Sequence, residues 1–384
     1  LHDALPIYHH PRRVSRALGA AAAVAALLLG CTIEPPEAPT AEASSAVTTS
    51  FDWAVGWMGT SSSGAMSTLY QATSNGAVMT GTRLGLGHYR VTVPGLNTAA
   101  SGNVLVSAYG SNAHCQVAFW SPWPAGLLID VLCFAPGGAA SDSRFVVSYV
   151  NEVRSLQFPD HVRAAYLWHS GTDSPAESQY RWSSIGGPGV PFSVTSSQPG
   201  VYHVIMTGMA APALPPGGVA MATAYGSTPR YCQVAGWANV GGGTNRYVDV
   251  SCFDASGAPA SSPFTLRYWT WGSWGAAEGG YVVDTRPELT TSSPDPAYWA
   301  IATASTTATP VVTRTATGFA VSMPGLTDVS SGALVNSLDT AGQYCNVAGW
   351  LPGVVVNVSC FDPTGAVVAR PMFSTALLDG RPGA

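Results

Sequence analysis

Cysteine is the residue type whose number and spacing most clearly point to chemistry in this chain. There are seven cysteines, of which one stands alone at position 31 and six form three pairs. The pairs are separated by 18, 20 and 15 residues, and each flanks a turn-rich loop between segments of alternating apolar residues. Cysteines placed in this way can face each other across a β-hairpin. The sequence therefore predicts three disulfides: Cys115–Cys133, Cys232–Cys252 and Cys345–Cys360.

Zinc sites and redox centres are the other common uses of paired cysteines. The chain has no Cys-x-x-Cys motif, and His114 is the only histidine beside a cysteine pair. A structural zinc site needs four nitrogen or sulfur ligands, which these surroundings do not offer. We therefore expect structural disulfides, and neither a metal ion nor another cofactor.

Histidine and the acidic residues do not recur in a catalytic pattern. Five histidines follow Cys31, and none of them has an equivalent in all three cysteine-containing regions. The sequence contains no H-E-x-x-H, no G-x-S-x-G and no glycine-rich phosphate loop. A pair of carboxylates that are distant in the chain, as in glycosidases, stays open as the basis of a hydrolase. Our expectation is that the protein is not an enzyme.

Charge is scarce in this chain. Only 10% of the residues are charged, the formal net charge is −5, and every basic residue is an arginine. Binding to a phosphate backbone needs clustered cations, and no basic run is present, so we expect no nucleic-acid partner. The 42 glycines and 29 prolines favour many short strands and turns.

Residues 1–31 have the features of an export signal. Three arginines precede an apolar run, Ala17–Leu29, that is short for a membrane-spanning helix. The run ends in Leu-Leu-Gly followed by Cys31, which resembles the lipobox of bacterial lipoproteins. The resemblance implies that Cys31 is lipidated and that the lipid attaches the protein to a membrane. Residues 1–10 do not fit this pattern, and we expect them to be an artefact of the assigned start.

The rest of the chain divides into a tether and three copies of one unit. Residues 32–50 are rich in Pro, Ala, Ser, Thr and Glu and have no apolar periodicity, which predicts a disordered tether. Similar segments then recur, and they define three copies over residues 51–150, 164–270 and 279–376.

The copies share several short motifs. In each copy the first cysteine begins C-x-V-A-x-W and the second lies in [DN]-V-x-C-F. An A-Y-G turn occurs at Ala108–Gly110 and Ala224–Gly226, and the third copy has diverged to Ser337–Asp339. These motifs resemble those of uncharacterised secreted tandem β-repeat proteins of high-GC bacteria. That resemblance implies an all-β shape and export, and it implies no activity.

Apolar residues alternate with polar ones throughout the copies, which predicts strands. We expect an all-β protein of three tandem antiparallel sandwich or barrel-like repeats with one hairpin disulfide each. The alternative is a β-propeller with blades shared among the repeats. Asp254-x-x-Gly257 and Asp362-x-x-Gly365 are typical of turns, because one Asp per copy supplies too few oxygens for calcium.

Two sets of tryptophans deserve separate interpretations. Trp120, Trp237 and Trp350 hold the same place in each copy, which favours a role in the core or over the disulfide. Between the second and third copies lies a cluster that could contact a ligand such as a sugar, or pack between domains: Trp269, Trp271 and Trp274.

The lipid anchor, the tether and the repeated domains together favour a binding or adhesion module of the cell envelope. We expect the protein to lie outside the cytoplasm, at the outer membrane or the cell surface. Its ligand would be a glycan or an envelope protein. The alternative is a structural envelope protein with no specific ligand.

Overall fold

Alternating apolar residues fold the chain into strands, because one face of each strand is buried against a core. The computed structural model describes residues 52–96, 101–151, 163–172, 180–210, 217–240, 243–270, 278–302, 309–326, 332–351 and 355–379. Within these residues the regular structure is β-strand, apart from two one-turn 3-10 helices at Gly187–Gly189 and Pro296–Tyr298. The all-β prediction is confirmed.

The first copy is built from eight strands. They are β1 (Asp52–Thr60), β2 (Ala65–Thr73), β3 (Thr80–Gly85), β4 (His88–Pro94), β5 (Asn103–Tyr109), β6 (His114–Trp123), β7 (Gly126–Phe134) and β8 (Arg144–Asn151). Two antiparallel sheets result, in the orders β2-β1-β8-β5 and β3-β4-β7-β6. The sheets share one core, in which Tyr89 and Phe145 from opposite sheets pack with ring centroids 5.6 Å apart.

The second copy repeats this arrangement. Its strands are β9 (Ala164–His169), β10 (Arg181–Ser183), β11 (Phe192–Gln198), β12 (Val201–Met206), β13 (Val219–Ala224), β14 (Arg230–Asn239), β15 (Arg246–Asp254) and β16 (Phe264–Trp269). The sheet orders are β10-β9-β16-β13 and β11-β12-β15-β14, which match those of the first copy strand for strand.

The third copy keeps the same plan with one additional short strand. Its strands are β17 (Glu278–Asp284), β18 (Thr291–Ser292), β19 (Trp299–Ala302), β20 (Val311–Arg314), β21 (Phe319–Ser322), β22 (Gly332–Ser337), β23 (Tyr344–Leu351), β24 (Val355–Phe361) and β25 (Phe373–Asp379). They pair in the orders β19-β17-β25-β22 and β18-β20-β21-β24-β23. The second of these rows joins the row β5-β8-β1-β2 of the first copy through β23 and β5, so the two rows form one nine-stranded sheet. Each copy is therefore a sandwich of two sheets over its own core, and the propeller alternative is wrong.

The three sandwiches form a closed ring, which the sequence did not predict. Strand β6 of the first copy meets the end of β13 in the second through a parallel bridge between Val117 and Tyr225. Strand β23 of the third copy meets the end of β5 in the first through the equivalent bridge between Val347 and Tyr109. Between the second and third copies, the amide of Val234 in β14 donates to Asn336 Oδ1 in β22 at 2.9 Å.

At each seam the strand that carries the first cysteine of one copy (β6, β14 or β23) thus meets the equivalent strand of the next copy (β13, β22 or β5). We call these the 1–2, 2–3 and 3–1 seams after the copies they join. This repetition gives the ring an approximate threefold axis. Residues Thr49–Ala384 make up one compact unit, in which a single buried apolar cluster contains side chains of all three copies. Among the described residues, no helix has the length and apolar character needed to span a membrane.

Candidate functional site

A buried amide side chain follows the first cysteine of each copy and spans the adjacent seam. Gln116 Nε2 donates to the carbonyls of Gly226 and Thr228 in the second copy, at 2.5 and 2.9 Å. Gln233 Nε2 donates to the Asp339 carbonyl of the third copy at 2.9 Å. Asn346 completes the set by donating to the first copy, at the carbonyls of Ser111 and Ala113. These side-chain amides donate to backbone carbonyls that would otherwise be buried at the seam without a hydrogen-bond partner.

A second set of polar side chains crosses the seams, one each on the equivalent strands β5, β13 and β22. Ser107 Oγ accepts from the Val335 amide of the third copy at 3.0 Å. Thr223 Oγ1 accepts from the Val106 amide of the first copy at 3.2 Å. Asn336 Nδ2 donates to the Ala222 carbonyl of the second copy at 2.9 Å. Each copy is therefore bonded to the preceding one, around the whole ring.

Three aromatic rings meet where the first cysteines approach the axis. His114, Tyr231 and Tyr344 each precede a first cysteine, and their centroids lie 5.2 to 5.8 Å from one another. A phenylalanine packs behind each of them, because the residue after the second cysteine lies directly across the hairpin. The repeated Cys-Phe motif thus contributes to an aromatic layer that contacts all three copies.

His114 differs from its two tyrosine counterparts in hydrogen bonding. The hydroxyls of Tyr231 and Tyr344 donate to the carbonyls of Gly342 and Asn112 in the next copy, both at 2.6 Å. Neither ring nitrogen of His114 has a hydrogen-bond partner among the described residues. Burial lowers the pKa of His114 to about 4, so its imidazole is neutral at pH 7.

The cysteines pair as the sequence analysis proposed. Disulfides join Cys115–Cys133, Cys232–Cys252 and Cys345–Cys360. In each pair the cysteines are directly opposite each other on neighbouring strands, with Cα atoms 3.9 to 4.1 Å apart. Because disulfides persist in oxidising compartments, they indicate a protein that resides outside the cytoplasm.

The Asp-x-x-Gly segments are turns, as expected. The amide of Gly257 donates to the Asp254 carbonyl, and that of Gly365 donates to the Asp362 carbonyl, both at 2.9 Å. Hydrogen bonds from Ser256 lower the pKa of Asp254, and those from Thr364 lower the pKa of Asp362. Across the described part of the chain, no group of three or more His, Cys, Asp or Glu side chains could hold a metal ion.

The repeated tryptophans lie at the seams, and Trp120 is buried in a core cluster, as the sequence favours. Trp120 packs edge-on against Tyr180 and Tyr225 of the second copy, with centroids 5.6 and 5.4 Å away. A β-bulge after Val117 shifts the register of this strand immediately before the tryptophan, and bulges re-aim the side chains that follow them. Trp350 makes the equivalent contacts with the first copy, and Trp237 is half-buried at the 2–3 seam.

The proposed ligand contact at the second tryptophan cluster is wrong for Trp269. Its side chain is 1% exposed and packs against Tyr281 of the third copy. Interior packing between copies, the alternative interpretation, accounts for it. Trp271, Trp274 and the lipidation site Cys31 lie outside the described residues.

A partly exposed polar group occupies the second copy, on the sheet face turned away from its core. His203 Nδ1 and Asp249 Oδ1 are 2.6 Å apart, and the His203 ring stacks on Tyr247 with centroids 5.2 Å apart. A pocket of about 220 Å³ opens beside Asp249. Its polar lining includes Gln198 and Thr340, the latter contributed by the third copy.

The equivalent positions in the other copies have different chemistry. In the first copy the buried carboxylate of Asp130 accepts from Arg90 Nε at 2.7 Å and Nη2 at 2.9 Å, and His88 Nε2 lies 3.2 Å from its Oδ2. In the third copy the cross-strand pair is Ala320 and Asn357. A histidine directly opposite the aspartate is therefore particular to the second copy. This pair was not predicted from the sequence, although the aspartate of the repeated [DN]-V-x-C-F motif is a signal that could have identified it.

Comparison with known proteins adds no relative. No protein-family model, curated protein or solved structure matches this chain.

Proposed function

We propose that this protein is a cell-envelope binding module whose ligand site is the exposed sheet face of the second copy. In this proposal the leader directs export, lipid on Cys31 anchors the chain to the membrane, and residues 32–50 tether the ring. The ring then acts as a rigid support for one copy that has acquired a binding face.

The observation that carries the proposal is the pocket of about 220 Å³ beside Asp249. Its lining combines polar side chains with an apolar surface from Val201, Phe253 and Pro259. Small-molecule sites have this composition, with a few oriented polar groups in a mostly apolar concavity. Because Thr340 belongs to the third copy, closure of the ring completes the pocket.

A saccharide unit is the ligand class that fits this lining best. Asp249 and Gln198 can accept hydrogen bonds from hydroxyl groups, and the Gln198 amide can also donate them. Outside the lining but next to Asp249, the half-exposed His203–Tyr247 stack offers the apolar face of a sugar ring a flat surface to contact. The proposed ligand is therefore a glycan of the cell envelope.

A glycan array probed with the purified full chain tests the proposal. The informative variant carries His203→Ala and Asp249→Asn, because the third copy already has Ala320 and Asn357 at these positions. We expect this double variant to bind at least about tenfold more weakly, since a hydrogen bond to a charged group contributes about 1.5–3 kcal/mol.

The matched control carries Arg90→Ala and Asp130→Asn, which removes the equivalent pair from the first copy. Its glycan binding is expected to be unchanged. An array on which the wild-type chain binds nothing, or equal losses in both double variants, contradicts the proposal.

A purely structural role in the envelope is the second candidate. It is favoured by the number of buried polar contacts that lock the copies together, such as those of Gln116 and Asn346. A silent array, combined with an envelope defect when the gene is deleted, would select this role.

A further inference from the structure

A narrow cavity of about 40 Å³ lies on the axis of the ring. Equivalent residues of the three copies line it, among them Ser107, Thr223 and Asn336. His114, Tyr231 and Tyr344 form a second equivalent set in the lining. The cavity is therefore a consequence of ring closure, because all three copies contribute to its lining.

The cavity wall contains polar atoms that the protein itself does not satisfy. In the described structure, both ring nitrogens of His114, Oε1 of Gln233 and Oγ of Ser337 are buried without a hydrogen-bond partner. All three residues line the cavity, and His114 is 4% exposed. Buried polar groups in folded proteins are normally hydrogen-bonded, so this concentration in one place calls for a ligand.

The three unsatisfied side chains define the chemistry of that ligand. A neutral imidazole offers one donor and one acceptor, the Gln233 oxygen accepts, and the Ser337 hydroxyl does both. A suitable ligand must therefore both donate and accept hydrogen bonds. No carboxylate lines the cavity to attract a cation, and no arginine lines it to attract an anion.

Size selects among such ligands. A water molecule needs roughly 10–15 Å³ of this kind of volume, so the cavity has room for about three or four. An organic ligand of several heavy atoms does not fit. We propose that the axial cavity is a hydration site, in which a small water cluster bonds to His114, Gln233 and Ser337 and completes the hydrogen bonding of the ring.

The histidine is the natural point at which to test this proposal. At the two equivalent positions a tyrosine hydroxyl reaches the carbonyl three residues before the first cysteine of the next copy. The corresponding carbonyl for position 114 belongs to Pro229. His114→Tyr should therefore adopt the arrangement of Tyr231 and Tyr344, bond directly to Pro229 and displace at least one water.

Magnetic relaxation dispersion of water nuclei in solutions of the full chain counts long-lived internal waters, and a high-resolution crystal structure locates them. The wild-type protein should show ordered water within hydrogen-bonding distance of a His114 ring nitrogen. The His114→Tyr variant should have fewer long-lived waters, with an unchanged circular dichroism spectrum.

A pair of serine variants keeps the test decisive if His114→Tyr fails to fold. Ser337 and Ser374 both bury a hydroxyl that is unsatisfied within the described chain, but only Ser337 lines the cavity. Ser337→Ala should change the count of long-lived waters, whereas Ser374→Ala should not. Wild-type protein whose cavity is dry, or equal water counts in both serine variants, would overturn the proposal.

Discussion

Trp350 of the third copy packs edge-on against Tyr109 of the first, with ring centroids 5.1 Å apart and the planes at 80°. The amide of Gly110, the next residue, donates to the Val347 carbonyl at 2.8 Å. At the 1–2 seam Trp120 and Tyr225 repeat this contact, and Gly226 donates to Val117. The C-x-V-A-x-W and A-Y-G motifs are thus two halves of one contact between neighbouring copies.

Truncation of the seam aromatics should destabilise the ring unequally. Trp350→Ala removes ring contacts to Trp57, Tyr70 and Tyr109, and we expect a loss of about 3 kcal/mol in the free energy of unfolding. Trp237→Ala should cost less, because Leu338 stands where the other seams have a tyrosine. Urea denaturation of both variants measures the difference, and equal losses would contradict this account of the motifs.

Features that depend on nearby residues were predictable from the sequence. Alternation predicted the strands because a half-buried strand has a period of two. The disulfides followed because each cysteine pair flanks a single hairpin, and the Asp254 and Asp362 turns followed from four consecutive residues. Such features need no knowledge of how the copies pack.

Removal of a disulfide should destabilise its own copy. The double variant Cys345→Ala and Cys360→Ala opens the third-copy hairpin, and the loop-entropy estimate gives a loss of about 3 kcal/mol. Cys115→Ala with Cys133→Ala should cost a similar amount, since the loops differ by only a few residues. Thermal unfolding of each double variant, beside wild-type protein with and without reductant, measures the effect. A double variant as stable as the oxidised wild type would disprove a structural role for that bond.

Ring closure was not predictable in the same way. The partners of each motif lie in another copy, so no local pattern connects Trp350 to Tyr109. A signal was nevertheless present: Gln116, Gln233 and Asn346 follow the first cysteine inside buried strands, where an unpaired amide is costly. A repeated buried amide indicates a partner outside its own strand. The proposed ligand contact at Trp269 failed for the same reason, because its burial comes from the neighbouring copy.

Acid should weaken the ring through His114. Its pKa is about 4 in the folded protein and 6.5 in the unfolded chain, and its neighbours Phe134, Tyr231 and Tyr344 carry no charge. The stabilising contribution of the neutral His114 is therefore fully present above pH 6.5 and is reduced by about 3 kcal/mol as the pH drops towards 4. Urea denaturation from pH 7 to pH 4 measures the loss.

The His114→Tyr variant is the control for this pH dependence. It should lose less stability over the same interval, because the unfolded chain no longer gains a proton at this position. The pKa values of Asp254 and Asp362 are lowered in the folded protein, so their stabilising contribution is lost mainly as the pH falls below about 4, and this loss is the same in both proteins. Identical pH profiles for the variant and the wild type would rule out His114 as the cause.

A buried arginine should make the 1–2 seam sensitive to substitution. Arg267 of the second copy donates to Asn103 Oδ1 at 3.2 Å and to Ser148 Oγ at 2.9 Å, both in the first copy. Burial lowers its pKa to about 9. Arg267→Ala should cost about 3 kcal/mol or more, because it leaves a cavity and unpaired polar groups. The exposed Arg370→Ala control should change stability by less than about 0.5 kcal/mol, and comparable losses in the two variants would refute this role.

The seams should also open in a definite order, with the 2–3 seam first. The 1–2 and 3–1 seams each combine a backbone bridge with a cluster of four aromatic rings. The clusters are Trp120, Trp168, Tyr180 and Tyr225 at the 1–2 seam, and Trp57, Tyr70, Tyr109 and Trp350 at the 3–1 seam. At the 2–3 seam Trp237 instead packs against the apolar cluster that contains Leu338. Edge-to-face aromatic pairs contribute about 0.5–1.5 kcal/mol beyond their buried area, so the 2–3 seam, which has no such cluster among the described residues, should have the lowest free energy of local opening.

Native-state hydrogen exchange reports this opening amide by amide. The amide of Val234, which bonds to Asn336 Oδ1 across the 2–3 seam, should exchange faster than the amides of Gly226 and Gly110. Slower exchange at Val234 would mean that the polar contacts, rather than the aromatic clusters, determine the strength of each seam.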